Sequence, residues 1–298
     1  MRILQNSQER ARGFSLIELM VVVVMISIVM AAVLSQVRQV QQRSMAEQGR
    51  VDDFQQARDF MNQIVRDGRQ VGYPNSHNYD INATPTVAPN CFNGAVPNGM
   101  AAWQPILIND CRIAAGIIRV TPTRLDVGGD FDGSGKVEIV SYAINGDGAC
   151  PLCMERAQMC KTNVIDPLTQ ANTNGNGAND NCGTGNQTLW VQEVQNVQNA
   201  NNAAAPIFSA YNVSGAQIPL GAGLNILANA NTIAQIRTIK INLGVANPKS
   251  FDPQTHRQLE SDVTGTVQIV NCSMAATGTA LVNAGVTAPG FVQVACQP

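Results

Sequence analysis

Residues 13–34 read GFSLIELMVVVVMISIVMAAVL, and the reading of this stretch decides the fold. From residue 14 it runs for 21 residues, broken only by Ser15, Glu18 and Ser27. At about 1.5 Å of rise per residue, such a helix covers about 30 Å, the hydrocarbon thickness of a bilayer. Ahead of it stands MRILQNSQERARG, with Arg2, Arg10 and Arg12 against one acid, Glu9. An excess of arginine at one end of an apolar span holds that end in the cytoplasm and sends the rest outward. Glu18 is out of place in such a span, where an unpaired carboxylate costs about 2.5–3.5 kcal/mol.

An ordinary secretory signal begins in the same way, but ends at a small-residue cleavage site followed by a loop. Ala31 and Ala32 could serve as that site. However, residues 35–70 (SQVRQVQQRSMAEQGRVDDFQQARDFMNQIVRDGRQ) contain no proline, and Val37, Val40, Val51, Phe54, Met61 and Val65 recur at helical spacings. Gly49 and Gly68 are tolerated inside the pattern, and Gly72 with Pro74 supplies the stop. The spacing predicts one helix from residue 14 to about residue 70, near 85 Å long at the same rise. Its first part lies in the membrane, and its second part has one apolar stripe to bury.

The string Gly13-Phe14-Ser15-Leu16-Ile17-Glu18-Leu19, after a short basic leader and before an unbroken apolar run, resembles the class III signal of type IV prepilins and type II secretion pseudopilins. The resemblance implies that residues 1–13 are a leader, cut by a prepilin peptidase between Gly13 and Phe14, and that the new Phe14 amine is N-methylated. It implies a pilin-like α+β fold: a helix over 14–72, membrane-spanning over 14–34, on a β-rich extracytoplasmic domain over 73–298. It also gives Glu18 a role in assembly, pairing with the cationic N-terminus of a neighbouring subunit inside a bundle of such helices. A charge pair in that setting rewards correct axial register, because an unpaired partner is costly to leave buried. The implied partners are other pilins or pseudopilins, the peptidase and an inner-membrane assembly platform. The protein would sit in the inner membrane as a single-pass subunit before assembly, and in a pilus or pseudopilus afterwards.

The remaining composition suits that reading. Hydrophobic residues are 45% of the 298 but aromatics only 5%, so a core must be built from Val, Ile, Leu and Ala. A formal charge of −2, with four lysines, argues against nucleic-acid binding, which needs a basic field. Short Ile- and Val-rich runs follow a Pro- and Asn-rich loop at 73–100, with strands expected at 116–120, 124–127, 136–144, 189–197, 207–213, 233–245 and 264–270. NVSGAQ (212–217) marks a hairpin turn, while 161–188 and 198–205 read as surface loops. No second helix is expected; one helix followed by strands and long loops makes an α+β chain with a mainly antiparallel sheet, one face of it covered by the apolar stripe. The strand–FDGSG–strand hairpin and the segments LWVQEVQNV, IFSAYNVSG and IRTIKINLGV are similar to the C-terminal halves of PilW-like minor pilins and J-type pseudopilins. The chain departs from many major pilins in its length and in having no proline within the helix, and both features favour a minor subunit that initiates or caps a filament.

Two further patterns invite chemistry. In GGDFDGSGKVE (128–138), Asp130, Asp132, Ser134, the Lys136 carbonyl and Glu138 occupy positions 1, 3, 5, 7 and 9 of an EF-hand-type calcium loop, with Gly135 at the turn. The twelfth position is Ser141 rather than a bidentate glutamate, and a hairpin loop uses acids and glycines in the same way. The GSGK within it fails as a P-loop, since Asp130 replaces the first glycine and Val137 the Ser/Thr. The eight cysteines, Cys91, Cys111, Cys150, Cys153, Cys160, Cys182, Cys272 and Cys296, all follow the apolar segment, which suits disulfides in an oxidising compartment. Cys272 with Cys296 would make a C-terminal clip. A zinc site from Cys150, Cys153, Cys160 and Cys182 is the alternative, and adjacent pairing of Cys150 with Cys153 is sterically unusual. His77 and His256 lie in polar loop contexts, and neither an H-E-x-x-H nor a G-x-S-x-G motif occurs, so no enzyme is expected; a membrane-anchored extracytoplasmic enzyme is the reading of a different class.

Overall fold

The computed structural model describes residues 15–73, 114–162, 166–180, 186–202, 204–251, 258–270, 274–283 and 286–293. The chain divides into two compact units, residues 1–48 and 49–298. Helix α1 (Leu16–Gly68) is unbroken, as its proline-free sequence requires. From residue 15 to residue 45 every side chain is exposed, including the whole apolar run.

In the second unit, α1 is followed by an antiparallel β domain. A six-stranded sheet has the order β10-β1-β2-β3-β4-β7, from β1 (Gly116–Val120), β2 (Arg124–Gly129), β3 (Glu138–Ile144), β4 (Met154–Cys160), β7 (Val191–Val194) and β10 (Leu224–Asn225). A four-stranded sheet has the order β12-β11-β8-β9, from β8 (Phe208–Tyr211), β9 (Gln217–Ile218), β11 (Thr238–Phe251) and β12 (Gln258–Gln268). Two hairpins stand apart, β5 (Asn176–Asn179) with β6 (Gln187–Leu189), and β13 (Met274–Asn283) with β14 (Val286–Gln293). Every pairing between strands is antiparallel, in keeping with the α+β expectation.

The buried stripe of α1 differs from the expected one. Asp53, Ala57, Phe60, Met61, Ile64, Asp67 and Gly68 are buried, and Val65 is partly so. Val37, Val40, Val51 and Phe54 stay exposed. The reason is that this segment meets both sheets. Phe60 packs edge-on against Tyr142 of β3, with ring centroids 5.8 Å apart. The next residue, Met61, lies over Gly265 of β12, and Gly68, two turns further on, abuts Val267, so a methyl at either glycine would collide with that neighbour. Both close contacts are with β12, and at Gly68 the approach leaves room only for a glycine.

At the end of α1 the Asp67 carboxylate accepts from the Tyr142 hydroxyl and, at 3.3 Å, from the Arg156 guanidinium. Burial is the main cause that lifts the Tyr142 hydroxyl well above its usual value, and the Asp67 charge adds to it. The chain then turns at Gly72 (φ 79°) and bridges through Val71 to Gly129 of β2.

The expectation of a helix-free remainder is corrected by α2 (Pro167–Thr173) and α3 (Ile226–Ile233). Both begin on capped turns: the Asp166 side chain accepts from Thr169 N–H and the Asn225 side chain from Ala228 N–H, with Pro167 in the first turn of α2. The segment 161–188 is therefore not merely a surface loop. Gln170 donates to the Cys160 carbonyl and accepts from Thr162 N–H. Asn174 donates to the Ile139 carbonyl, the Ser141 hydroxyl and the Ala157 carbonyl at 3.0–3.2 Å. With α1 on one side and these groups on the other, β3 is buried on both faces although its sequence alternates. In 198–205 a 3₁₀ turn (Gln198–Asn201) buries Asn199 and Ala200.

Strand limits also moved. The expected strand 189–197 is two, split at Trp190, whose indole sits where side chains on Gly146 and Gly175 would otherwise be. Ile233 closes α3, so the strand expected from 233 begins at Thr238. The β2–β3 hairpin around FDGSG and the β8–β9 hairpin around the Ser-Gly turn form as expected.

Removing Asp67 would leave the partly buried Arg156 without its counter-charge, and removing the Tyr142 hydroxyl would not. Urea unfolding should show Asp67→Leu costing about 3–5 kcal/mol, against about 1–3 kcal/mol for Tyr142→Phe. Equal costs would remove the ion pair from the account.

Candidate functional site: the N-terminal helix and the 130–138 loop

Glu18 stands in the first turn of α1. The Ser15 carbonyl accepts from Glu18 N–H at 2.9 Å and from Leu19 N–H at 3.1 Å, which closes that turn. A helix N-terminus carries partial positive charge and favours a carboxylate nearby. Among the described residues no side chain pairs with Glu18, and the side chains around it, from Leu16 to Leu34, are exposed. The arrangement can accept a cation from outside the chain while the apolar surface meets lipid or other helices. Gly13 and Phe14 lie outside the described residues.

Of the cysteines, Cys150, Cys153 and Cys160 are described; Cys91, Cys111, Cys182, Cys272 and Cys296 lie outside the described residues, and with them the C-terminal clip and the fourth ligand of the zinc alternative. Cys150 is bonded to Cys153, with Cα atoms 5.3 Å apart, which corrects the steric objection. The reversing turn between β3 and β4 brings the two residues within the usual disulfide span. Cys160 is also in a disulfide. Thiols held in this way are not zinc ligands.

Sequence spacing missed two buried charge groups. One is the Asp67 group at the end of α1. The other is Asp126, fully buried on β2, which accepts from Arg119 and from Arg124 (3.0 Å). Arg119 also reaches Asn172, and Arg124 reaches the Ala171 carbonyl and lies 5.5 Å over the Trp190 ring, so the two arginines tie α2 to the sheet. Charged residues inside otherwise apolar strands were the available signal.

The 130–138 loop is closed by its own donors. Asp130 accepts from Gly135 N–H (3.0 Å), Asp132 from Ser134 N–H (2.8 Å), and the Ser134 hydroxyl from Lys136 N–H (3.4 Å). Glu138 accepts from Phe131 N–H (3.2 Å) and from the Gln158 amide (2.6 Å). Gly135 takes φ 79°, which only glycine adopts without strain. One oxygen here, Asp130 Oδ1, is buried without a donor. Among the described residues no three His, Cys, Asp or Glu side chains converge to hold a metal ion. Burial raises the Glu138 carboxyl above its ordinary 4.5, against the lowering effect of the Gln158 bond. Burial also raises Asp130, whereas at Asp132 the bonds from Ser134 outweigh burial and lower it.

A raised carboxyl stabilises the fold only while protonated. Its contribution is fully present below the ordinary value of 4.5 and lost as pH rises through the raised folded value. Glu138→Gln should therefore lose less stability than the parent between mildly acid and neutral pH, measured by urea unfolding across that range. Identical slopes would mean that Glu138 titrates normally.

The family model described as the prokaryotic N-terminal methylation motif matches residues 9–34. No curated protein and no solved structure matches the chain. The match places Gly13, Phe14 and Glu18 inside the motif's span, and it supports the type IV pilin or pseudopilin class of structural proteins.

Proposed function

We propose that this chain is a minor pilin, PilW-like in kind, that initiates or caps the assembly of a type IV pilus. The observation that carries the reading is the single carboxylate, Glu18, near the start of an exposed apolar helix whose sequence matches the methylation motif. A prepilin peptidase cuts between Gly13 and Phe14, and the Phe14 amine is methylated. Until assembly the helix rests in the inner membrane, with residues 1–13 cytoplasmic and the β domain outside, as the arginine bias favours. Extraction by the inner-membrane platform moves the helix from lipid into a bundle of pilin helices. There Glu18 pairs with a neighbour's N-terminal amine, and a subunit in the wrong register leaves both charges unpaired.

The same motif serves a pseudopilin of a type II secretion system, and deletion of the gene separates the two. Lost surface filaments with intact export favour the pilus; lost export favours the pseudopilus. A calcium ion at Asp130, Asp132, Ser134, Lys136 and Glu138 is a further proposal within this reading. Its support is the ligand spacing and the donorless Asp130 Oδ1, and binding would draw Glu138 away from Phe131 and Gln158. Thermal melts should rise with calcium and fall with chelator, and Asp130→Asn should abolish the difference; melts indifferent to calcium in the parent would dismiss the ion.

Mass spectrometry of the mature chain should find N-methylated phenylalanine from Phe14 at its start. An intact Met1, or a start near Ala32, would overturn the pilin reading. Glu18→Val should be processed normally yet fail to enter filaments; normal incorporation would remove the pairing role.

A further inference from the structure

Cys150-Pro151-Leu152-Cys153 lies in the turn that joins β3 to β4, and the assembly reading makes no use of it. Its two sulfurs are unequally placed. Cys150 is partly exposed among the exposed residues Asp147, Gly148, Ala149, Pro151 and Leu152, whereas Cys153 is buried at 1% exposure. The turn is held by bonds that do not involve sulfur. Asn145 N–H donates to the Cys153 carbonyl (2.9 Å), Gly148 N–H to the Asn145 carbonyl (3.2 Å) and Val197 N–H to the Leu152 carbonyl (2.8 Å). Asp147 N–H donates to the buried Glu155 carboxylate (2.9 Å). Beyond the turn, β3 and β4 stay in register from Ile144↔Met154 to Glu138↔Cys160. The disulfide joins residues three apart, a very short closed loop of the kind that removes little entropy from the unfolded chain. It therefore braces little that is not already held.

We propose that Cys150–Cys153 is a thiol–disulfide exchange site for low-molecular-weight thiols. The incoming thiolate attacks Cys150 Sγ, the sulfur of the more exposed residue of the pair. The S–S bond breaks, and Cys153 leaves with the electron pair and takes a proton from water. A second thiolate then attacks the incoming sulfur of the mixed disulfide and releases Cys150. In total, two thiols are oxidised to one disulfide and the protein disulfide is reduced to a dithiol. The backbone bonds keep Cys153 beside Cys150 throughout, so in the reverse direction the Cys153 thiolate attacks Cys150 Sγ and expels the adduct. Exchange needs access to the attacked sulfur, and a sheltered resolving residue on a turn held by hydrogen bonds favours its reversal; the placement of Cys150 and Cys153 suits both.

The test uses the full chain, oxidised and folded in detergent micelles, treated with reduced glutathione, trapped with maleimide at intervals and mapped by peptide mass spectrometry. Thiols at Cys150 and Cys153 should appear about tenfold sooner than at Cys160, with the β-sheet circular dichroism unchanged. Treated with oxidised glutathione, Cys153→Ser should retain one glutathione on Cys150, while Cys150→Ser should react about tenfold more slowly at its buried thiol. If the pair opens no sooner than Cys160, or only as the sheet unfolds, the bond is a structural clip and the proposal is overturned. Equal reaction of the two variants overturns the assigned direction of attack. The ordering in the unsubstituted chain decides the matter even if a variant fails to fold.

Discussion

Asp67 is only 3% exposed in the last turn of α1, and its carboxylate is tolerable there because the Tyr142 hydroxyl and the Arg156 guanidinium both donate to it. A helix seated one residue out of register would leave the buried Asp67 carboxylate without its donors, a penalty of several kcal/mol. Correct seating brings the rest with it: Phe60 onto Tyr142, Met61 over Gly265, Gly68 against Val267. Apolar contacts supply most of the driving force, but they are non-directional. The buried ion pair and the two close glycine contacts are what specify a single arrangement of this segment on two sheets.

The N-terminal run of the same helix obeys the opposite constraint. Its side chains from Leu16 to Leu34 are exposed among the described residues, and burying them calls for an apolar surrounding. Lipid and a bundle of like helices both satisfy that need, and they differ chiefly at Glu18. In lipid an unpaired carboxylate is a cost; beside a cationic amine, as the proposed assembly requires, it would be a register mark. Under that proposal one residue would tie the membrane state to the assembled state.

The second face of the six-stranded sheet is closed by polar packing. Small side chains on the strands, Ser141, Ala143 and Ala157, leave room for the Asn174 amide and its three acceptors. Asp126, bridged by Arg119 and Arg124, fastens α2 beside them. A chain with 5% aromatic residues covers a sheet in this way because amides and guanidinium groups satisfy the backbone and charge that large apolar groups would leave exposed. The β3–β4 turn stays exposed at the rim of this layer, with the Cys150–Cys153 bond at its surface.

Sequence alone determined the features governed by local chemistry: the unbroken α1, the strands β1, β2, β3, β8 and β12 in outline, the two hairpins marked by glycine, and Glu18 as a charge in the wrong solvent. Those follow from periodicity, turn geometry and the cost of burying charge, which act over a few residues. β4 was hidden because MERAQMC was read only for Cys160, and α2 and α3 because their caps, Asp166 and Asn225, sit in Asn-rich text that resembles loop. The calcium spacing of 130–138 was legible, but the structure closes the loop with backbone and Gln158 donors that no spacing displays. Only the tertiary structure decided which stripe of α1 is buried, that β3 is covered on both faces, and that Cys150 meets Cys153. Each depends on residues far apart in the chain or on the exact path of a turn, where proximity, not composition, sets the energy.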